Sequence, residues 1–179
     1  MLVSLKKLAS MNKFRFLQIT GVLLTLLSGS CMSNMPLSWD KEIDDDLVGR
    51  WVKFNDHGNN DELDIGIVDG QYQIYYKEFL RFEGEYREYK GTGYLTEIDG
   101  QDFVNFRSET GSYYVVKVVL KDLYMEVYHI ASSGCFSQYY DGDREMFVFP
   151  DPETLRKIIG DNMNAPDFFE EPDIYELRN

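Results

Sequence analysis

Three Asp-Gly pairs, each lying between short stretches of β-branched and aromatic residues, constrain the fold of this chain more than any other feature of its sequence. They are Asp69-Gly70, Asp99-Gly100 and Asp141-Gly142. Asp-Gly readily adopts the positive φ angles of a two-residue hairpin turn. A parallel sheet would need crossover helices between the stretches, and intervals of roughly 8–12 residues are too short for them. The pairs therefore predict an antiparallel meander.

The stretches themselves have the pattern of strands. Leu63, Ile65 and Ile67 alternate with Asp64 and Gly66, which is the period of two expected of a half-buried strand. About nine strands are predicted in this way, at residues 50–54, 63–67, 72–77, 82–89, 93–98, 103–107, 113–121, 123–130 and 145–149. The fold class is therefore mainly β, an antiparallel meander that closes as a small barrel or folds as a sandwich.

One α-helix is predicted after the last of these strands. Asp151 can cap its N-terminus, Pro152 suits its first position, and Gly160 marks its end. A small apolar face, which would pack on an end or a wall of the barrel, consists of Leu155, Ile158 and Ile159. The chain is predicted to form the barrel with residues 47–149 and the helix and an acidic tail with residues 150–179. The aromatic anchors of that tail are Phe168, Phe169 and Tyr175.

The first 30 residues have the organisation of a secretory signal. Their positive charges are Lys6, Lys7, Lys13 and Arg15. A mostly apolar run of 12 residues follows at 16–27, and small residues then precede Cys31. A helix of that length rises only about 18 Å, short of a bilayer core of roughly 30 Å, so a permanent membrane helix is disfavoured. Residues 1–30 are predicted to be a signal peptide.

The run LLSGSC, which ends at Cys31, resembles the bacterial lipobox. The resemblance implies that Cys31 becomes the first mature residue and carries acyl chains such as palmitate. Two acyl chains would hold this lipoprotein durably in a membrane of the bacterial cell envelope. Met32 and Ser33 do not resemble the aspartate that retains many lipoproteins in the inner membrane, so the outer membrane is preferred. The alternative is an ordinary signal peptide that is cut nearby and leaves a free thiol.

Residues 31–46 are predicted to be a lipidated tether between the membrane and the barrel. They contain Pro36 and an acidic run at 44–46, and their apolar residues follow no period.

The charge of the chain narrows the choice of partners. Lys and Arg number 18 against 31 Asp and Glu, and without the four bases of the signal the mature part keeps 14 bases and a net charge of −17. Such a surface repels phosphate groups, so no nucleic-acid partner is predicted. A basic protein partner or divalent ions would suit it better, although surface charge also simply keeps a protein soluble.

The stretch that opens the first strand, Leu47-Val48-Gly49-Arg50-Trp51, resembles the Gly-x-Trp motif of lipocalins. In that family the tryptophan closes one end of the barrel and a basic side chain from the last strand lies over it. The resemblance implies a lipocalin-like barrel in which Arg144 covers Trp51. It covers roughly residues 47–160 and is similar to small lipocalin-like domains of uncharacterised bacterial lipoproteins.

The sequence contains little that points to catalysis. A Gly-x-Ser-x-Gly motif and a phosphate-binding glycine loop are both absent. His57 and His129 are isolated, so no zinc site and no cofactor are predicted. The oxygen-rich stretch 56–62 fits a turn better than a calcium loop, and the same holds for 141–143. Cys135 is predicted to be an inert thiol, with a Cys135–His129 nucleophile as the minor alternative.

These observations lead to two main functional hypotheses, with an enzyme as the minor third. The first is a non-enzymatic, lipid-anchored, lipocalin-like barrel that binds a small apolar ligand or serves as a structural module, its binding residues being unknown. The second is a protein-interaction or inhibitor module that uses its acidic surface. The tyrosines at alternating strand positions are expected to line the barrel, and the alternative is an aromatic platform for a sugar or a peptide; they are Tyr72, Tyr75, Tyr76, Tyr86 and Tyr89.

Overall fold

Eleven strands, one α-helix and two short 3-10 helices make up the part of the chain that the computed structural model describes, namely residues 32–54, 58–131 and 135–178. The helix, α1, is Pro152–Asn162, and the 3-10 helices are Asp45–Leu47 and Ser137–Tyr139. The strands are β1 Met32–Ser33, β2 Gly49–Lys53, β3 Asp61–Val68, β4 Gln71–Leu80, β5 Glu85–Ile98, β6 Gln101–Ser108, β7 Tyr113–Leu120, β8 Tyr124–His129, β9 Tyr140–Asp141, β10 Met146–Phe147 and β11 Asp173–Arg178.

Eight of these strands form a closed antiparallel barrel. Strands β2 to β8 pair in chain order, and β11 lies between β8 and β2 and closes the ring. The predicted antiparallel barrel with a single helix is confirmed, and closure decides for the barrel over the sandwich. The Asp-Gly pairs at 69–70 and 99–100 form the β3–β4 and β5–β6 turns, with positive φ at all four residues.

Two strands differ from the prediction. The segments predicted at 82–89 and 93–98 are one strand, β5, which continues through Gly91 and Gly93 because both glycines lie in the ladder with β6. The segment predicted at 145–149 contributes only β10, which pairs with β9 and β1 rather than with the barrel.

The segments predicted as a tether and as an acidic tail both belong to the folded domain. This corrects the predicted bounds of the domain at both ends. Residues 32–46 run along the barrel wall, where Leu37 is only 1% exposed and Glu42 bridges to Leu95. In the C-terminal tail, β11 supplies a barrel strand. Phe168 and Tyr175 are buried, as predicted for anchors, and Phe169 is half-buried. The domain therefore extends over 32–178 rather than 47–149.

The helix begins as predicted. Asp151 accepts a hydrogen bond from the Thr154 N–H at 2.6 Å, and Pro152 is its first residue. It ends at Asn162 rather than at Gly160. It packs on the wall of the barrel, because its buried residues share a cluster with the outward-facing Phe103 and Val115 of β6 and β7. No helix among the described residues is long and apolar enough to cross a membrane.

Replacing Asp151 by alanine is expected to destabilise the domain by about 1 kcal/mol, because the Thr154 N–H loses the carboxylate oxygen that caps it. Urea unfolding of the purified domain measures the change. Asp151→Asn is the control, since an asparagine cap retains the acceptor oxygen. Equal losses in the two variants would mean that the cap does not stabilise the helix.

Candidate functional site

The two ends of the barrel differ in how they are filled. At one end, the closed end, the 3-10 helix at 45–47 covers the interior and Trp51 is 1% exposed. The Trp51 indole N–H donates to the carbonyl of Leu47 at 2.9 Å. Tyr72 lies beside it and is also 1% exposed. Trp51 thus lies inside the barrel, within the interior cluster.

Arg144 lies elsewhere, in the turn between β9 and β10. Its guanidinium Nε is 3.5 Å from the Asp141 carboxylate and its side chain is 65% exposed. The buried Trp51 ring packs with the interior cluster that includes Leu177. The pairing of Trp51 with Arg144 stays a prediction.

The opposite end, here called the mouth, is where β2, β4, β6 and β8 end. Leu63, Tyr76 and Val116 also point inward, because they pair with the inward-facing Trp51, Leu63 and Val104 respectively. The strands that carry them, β3, β4 and β7, are each hydrogen-bonded to a neighbour on both sides. Water therefore reaches these inward side chains from the barrel interior. They nevertheless retain partial exposure. The interior is therefore filled around Trp51 and Tyr72 and partly accessible beside Leu63, Tyr76 and Val116.

Charged side chains extend this inward-facing surface at the mouth. Lys53 Nζ lies 2.6 Å from an Asp173 carboxylate oxygen and 3.9 Å from Asp61. His129 Nε2 lies 3.3 Å from the other Asp173 oxygen. Asp61 is 5% exposed and also accepts the Phe79 N–H at 2.9 Å. One lysine is thus held between two carboxylates inside the barrel.

Burial affects the pKa of two acids of the cluster, Asp173 and Glu78, in different ways. Burial alone would raise the pKa of Asp173, but hydrogen bonds from His129 and Lys53 outweigh it and lower the pKa below its usual range. Burial, and then the nearby charge of Asp61, raise the pKa of Glu78. The Tyr89 hydroxyl at 3.4 Å and the positive charges of Arg87 and Lys53 only partly offset them.

Tyrosines complete the mouth. The hydroxyls of Tyr76 and Tyr175 are hydrogen-bonded to each other, and burial raises the pKa of both. The Tyr76 ring stacks on Tyr89 with 5.8 Å between the ring centroids. The five tyrosines predicted as a platform lie on two faces, because Tyr75 and Tyr86 point outward while the other three point inward. A single platform of all five is therefore excluded by the register.

Replacing Glu78 by glutamine is expected to stabilise the domain at neutral pH. The folded-state pKa of Glu78 is raised, so its ionised form opposes folding, and stability falls as the pH rises through this pKa. Thermal unfolding between pH 4 and pH 8 is the measurement. Glu88→Gln, which changes an exposed acid on the outer face of β5, is the matched control. A Tm gain that is equal in both variants at pH 7 would contradict the assignment.

A second concavity lies on the outer wall of the barrel. It is a groove of about 820 Å³ between two rows of outward side chains on β3 to β6. Gly66 and Gly91 form part of its floor, and Tyr75, Lys90 and Arg107 stand along its sides. The Lys90 ammonium lies over the Tyr75 ring, 5.4 Å from its centroid.

The other candidate residues from the sequence do not form a further site. Cys135 packs against the wall cluster outside the barrel, and burial raises the pKa of its thiol, which disfavours the nucleophilic thiolate. His129 points into the mouth instead. Cys31 and residues 55–57 lie outside the described part of the chain. Within that part, no group of three or more His, Cys, Asp or Glu side chains could hold a metal ion.

The mouth cluster was missed from the sequence, although one signal pointed to it. The period of two that turns Trp51 inward does the same for Lys53.

Comparison with protein-family models, with curated proteins and with solved structures found no match for this chain.

Proposed function

We propose that this protein is a lipid-anchored, non-enzymatic barrel of the bacterial cell envelope that binds a small amphipathic molecule through its mouth. The observation that carries the proposal is the partial exposure of inward side chains such as Leu63, Tyr76 and Val116, against the fully buried Trp51 and Tyr72 of the closed end. A barrel that served only as a structural module would gain from filling both ends.

The lining of the mouth supports a ligand with an apolar body and a polar group. Leu63, which pairs with Tyr76, and Phe106, whose ring lies 5.9 Å from that of Tyr114, supply apolar and aromatic surface. Farther out, the polar groups of Lys53 and His129 can orient a ligand by hydrogen bonds. A purely apolar ligand, the simpler expectation from the sequence, would leave these groups without water and without a new partner.

The charge of the cluster favours a neutral or cationic polar group over an anionic one. Lys53 is already paired with Asp61 and Asp173, and Glu78 adds a third carboxylate. An incoming carboxylate would face these acids at short range in a medium less polar than water. An amine or amide would instead find acceptors, and the stacked Tyr76 and Tyr89 rings can face a cation.

The cellular part of the proposal rests on the sequence. The charged start, the apolar run and the lipobox-like LLSGSC support export and acylation of Cys31. The outer membrane is the preferred location of the acylated protein.

Native mass spectrometry of the mature protein, extracted from its host envelope in a non-denaturing detergent, tests ligand binding. We expect an additional mass that organic extraction removes and that names the chemical class of the ligand. A bare polypeptide mass would count against ligand binding and would favour the second hypothesis, a basic protein partner on the acidic surface. Such a partner would bind less tightly as the salt concentration rises.

A pair of probes tests the charge preference. Dodecylamine and dodecanoic acid have the same chain length and differ only in the head group. We expect the amine to bind at least tenfold more tightly at pH 7, measured by the change in tyrosine fluorescence or by calorimetry. Tighter binding of the acid would overturn the assignment of the polar cluster.

A further inference from the structure

The first described residues lie beside the mouth of the barrel. Met32 pairs with Tyr114 and Ser33 with Tyr113, at the start of β7. Strand β7 begins at the mouth, because the β6–β7 loop connects the same end of the barrel at which β2 and β4 end. The Tyr114 hydroxyl, on an inward-facing side chain, lies 3.4 Å from the Met32 sulfur.

The chain that follows Met32 holds this position firmly. The Asn34 side chain is hydrogen-bonded to both the N–H and the carbonyl of Phe149, at 2.9 and 3.2 Å. Leu37 is buried, and its N–H donates to the fully buried Asn105 at 2.7 Å. The Cα of residue 31 is only about 3.8 Å from that of Met32 in any trans peptide. An anchor on Cys31 would therefore have no tether.

Exposed aromatic side chains lie at the same end. Phe82, at the tip of the β4–β5 hairpin, is 79% exposed. Phe54, which follows β2, is 48% exposed, and the Arg178 guanidinium lies over its ring, 4.6 Å from the centroid. Both signs of charge flank Phe82 in the sequence, with Arg81 before it and Glu83 after it. Aromatic rings next to charged residues of both signs suit the interface between lipid head groups and acyl chains.

We infer that the anchored protein docks on the bilayer surface with its mouth against the lipid and with Phe82 in the interfacial region. The inference rests on the proposed acylation of Cys31. A missing tether forces the mouth end toward the membrane, and the aromatic side chains supply apolar area to bury there. The docked mouth exchanges an amphipathic ligand directly with the lipid layer, so the ligand's apolar body does not cross water.

Depth-dependent fluorescence quenching tests the orientation. The full-length lipoprotein is reconstituted into phosphatidylcholine vesicles that contain brominated lipid, in a Trp39→Phe background that removes the exposed native tryptophan. Phe82→Trp reports on the mouth. Leu123→Trp is the matched control, because Leu123 is 70% exposed in the β7–β8 turn at the closed end. Trp51 remains as a constant buried background.

We expect quenching of the Phe82→Trp signal to exceed that of Leu123→Trp several-fold, with a blue shift only in the former. Equal quenching, stronger quenching at Leu123→Trp, or none at either site would overturn the docking. The mass of the N-terminal peptide distinguishes the causes: a peptide without the lipid overturns both the anchor and the docking. Quenching at the mouth in a protein that carries no ligand would leave the docking intact and count only against ligand binding.

Discussion

Substituting Tyr175 by alanine is expected to lower the free energy of unfolding by about 3–5 kcal/mol. Tyr175 lies in β11, the strand that closes the barrel, and is 4% exposed within the interior cluster. The substitution leaves a cavity and removes the hydrogen-bond partner of the Tyr76 hydroxyl, which then stays buried with one partner fewer. Urea unfolding, followed by tryptophan fluorescence from Trp51 in the same interior, measures the loss.

The control for Tyr175→Ala lies one residue earlier. Ile174 points outward from the same strand and is 44% exposed, so Ile174→Ala is expected to change stability by less than about 1 kcal/mol. Losses of equal size would mean that β11 is not fixed in the barrel wall. Tyr175→Phe separates the two contributions, because it keeps the ring and removes only the hydroxyl.

The strand that carries Tyr175 shows why barrel closure could not be predicted from the sequence. Residues 173–178 read DIYELR, in which three of the six residues are charged and the apolar residues do not alternate regularly. The partners of this strand are distant along the chain, since Leu177 lies opposite Trp51 in β2. Local periodicity predicted β2 to β8 because each of these strands joins its neighbour by a short turn. A pairing across more than a hundred residues leaves no such local signal.

The same reasoning applies to the segment predicted as a tether. Pro36, the acidic run at 44–46 and the missing apolar period are typical of a spacer. Burial of Leu37 depends on Asn105, whose side chain accepts the Leu37 N–H, and on the outer wall of the barrel. The outer wall that buries Leu37 forms only when the barrel folds. The sequence pattern of the segment alone could therefore not reveal the contact.

The mouth was partly predictable. The period of two that starts from Trp51 turns Lys53 inward, but a charged residue at the end of a strand usually faces water. Only the register across strands brings Asp61 and Asp173 to the same lysine. The net charge gives the number of acidic residues but not the direction in which each side chain points. It could therefore not distinguish this inward cluster from the solvated outer surface.

Replacing Gly91 by alanine is the second substitution with a large expected effect. We expect it to lower the free energy of unfolding by about 3 kcal/mol or more, the upper end of the range for overpacking. A Cβ at Gly91 would lie 2.1 Å from the carbonyl oxygen of Arg107 and 2.5 Å from the Phe106 ring. The carbonyl cannot move away easily, because β6 is hydrogen-bonded to β5 on one side and to β7 on the other. Strand β5 needs glycine here so that the two backbones can approach closely.

Gly66→Ala is the matched control, since Gly66 lies in β3 on the floor of the same outer groove and a Cβ there would meet no atom within 4 Å. Alanine is expected to stabilise this strand by roughly 0.5–1 kcal/mol, because glycine loses more backbone entropy on folding. The two Gly→Ala changes are therefore expected to have opposite signs, measured as changes in the urea midpoint. A neutral Gly91→Ala would mean that β5 and β6 do not approach this closely, and that the barrel wall beneath the groove is wider than described.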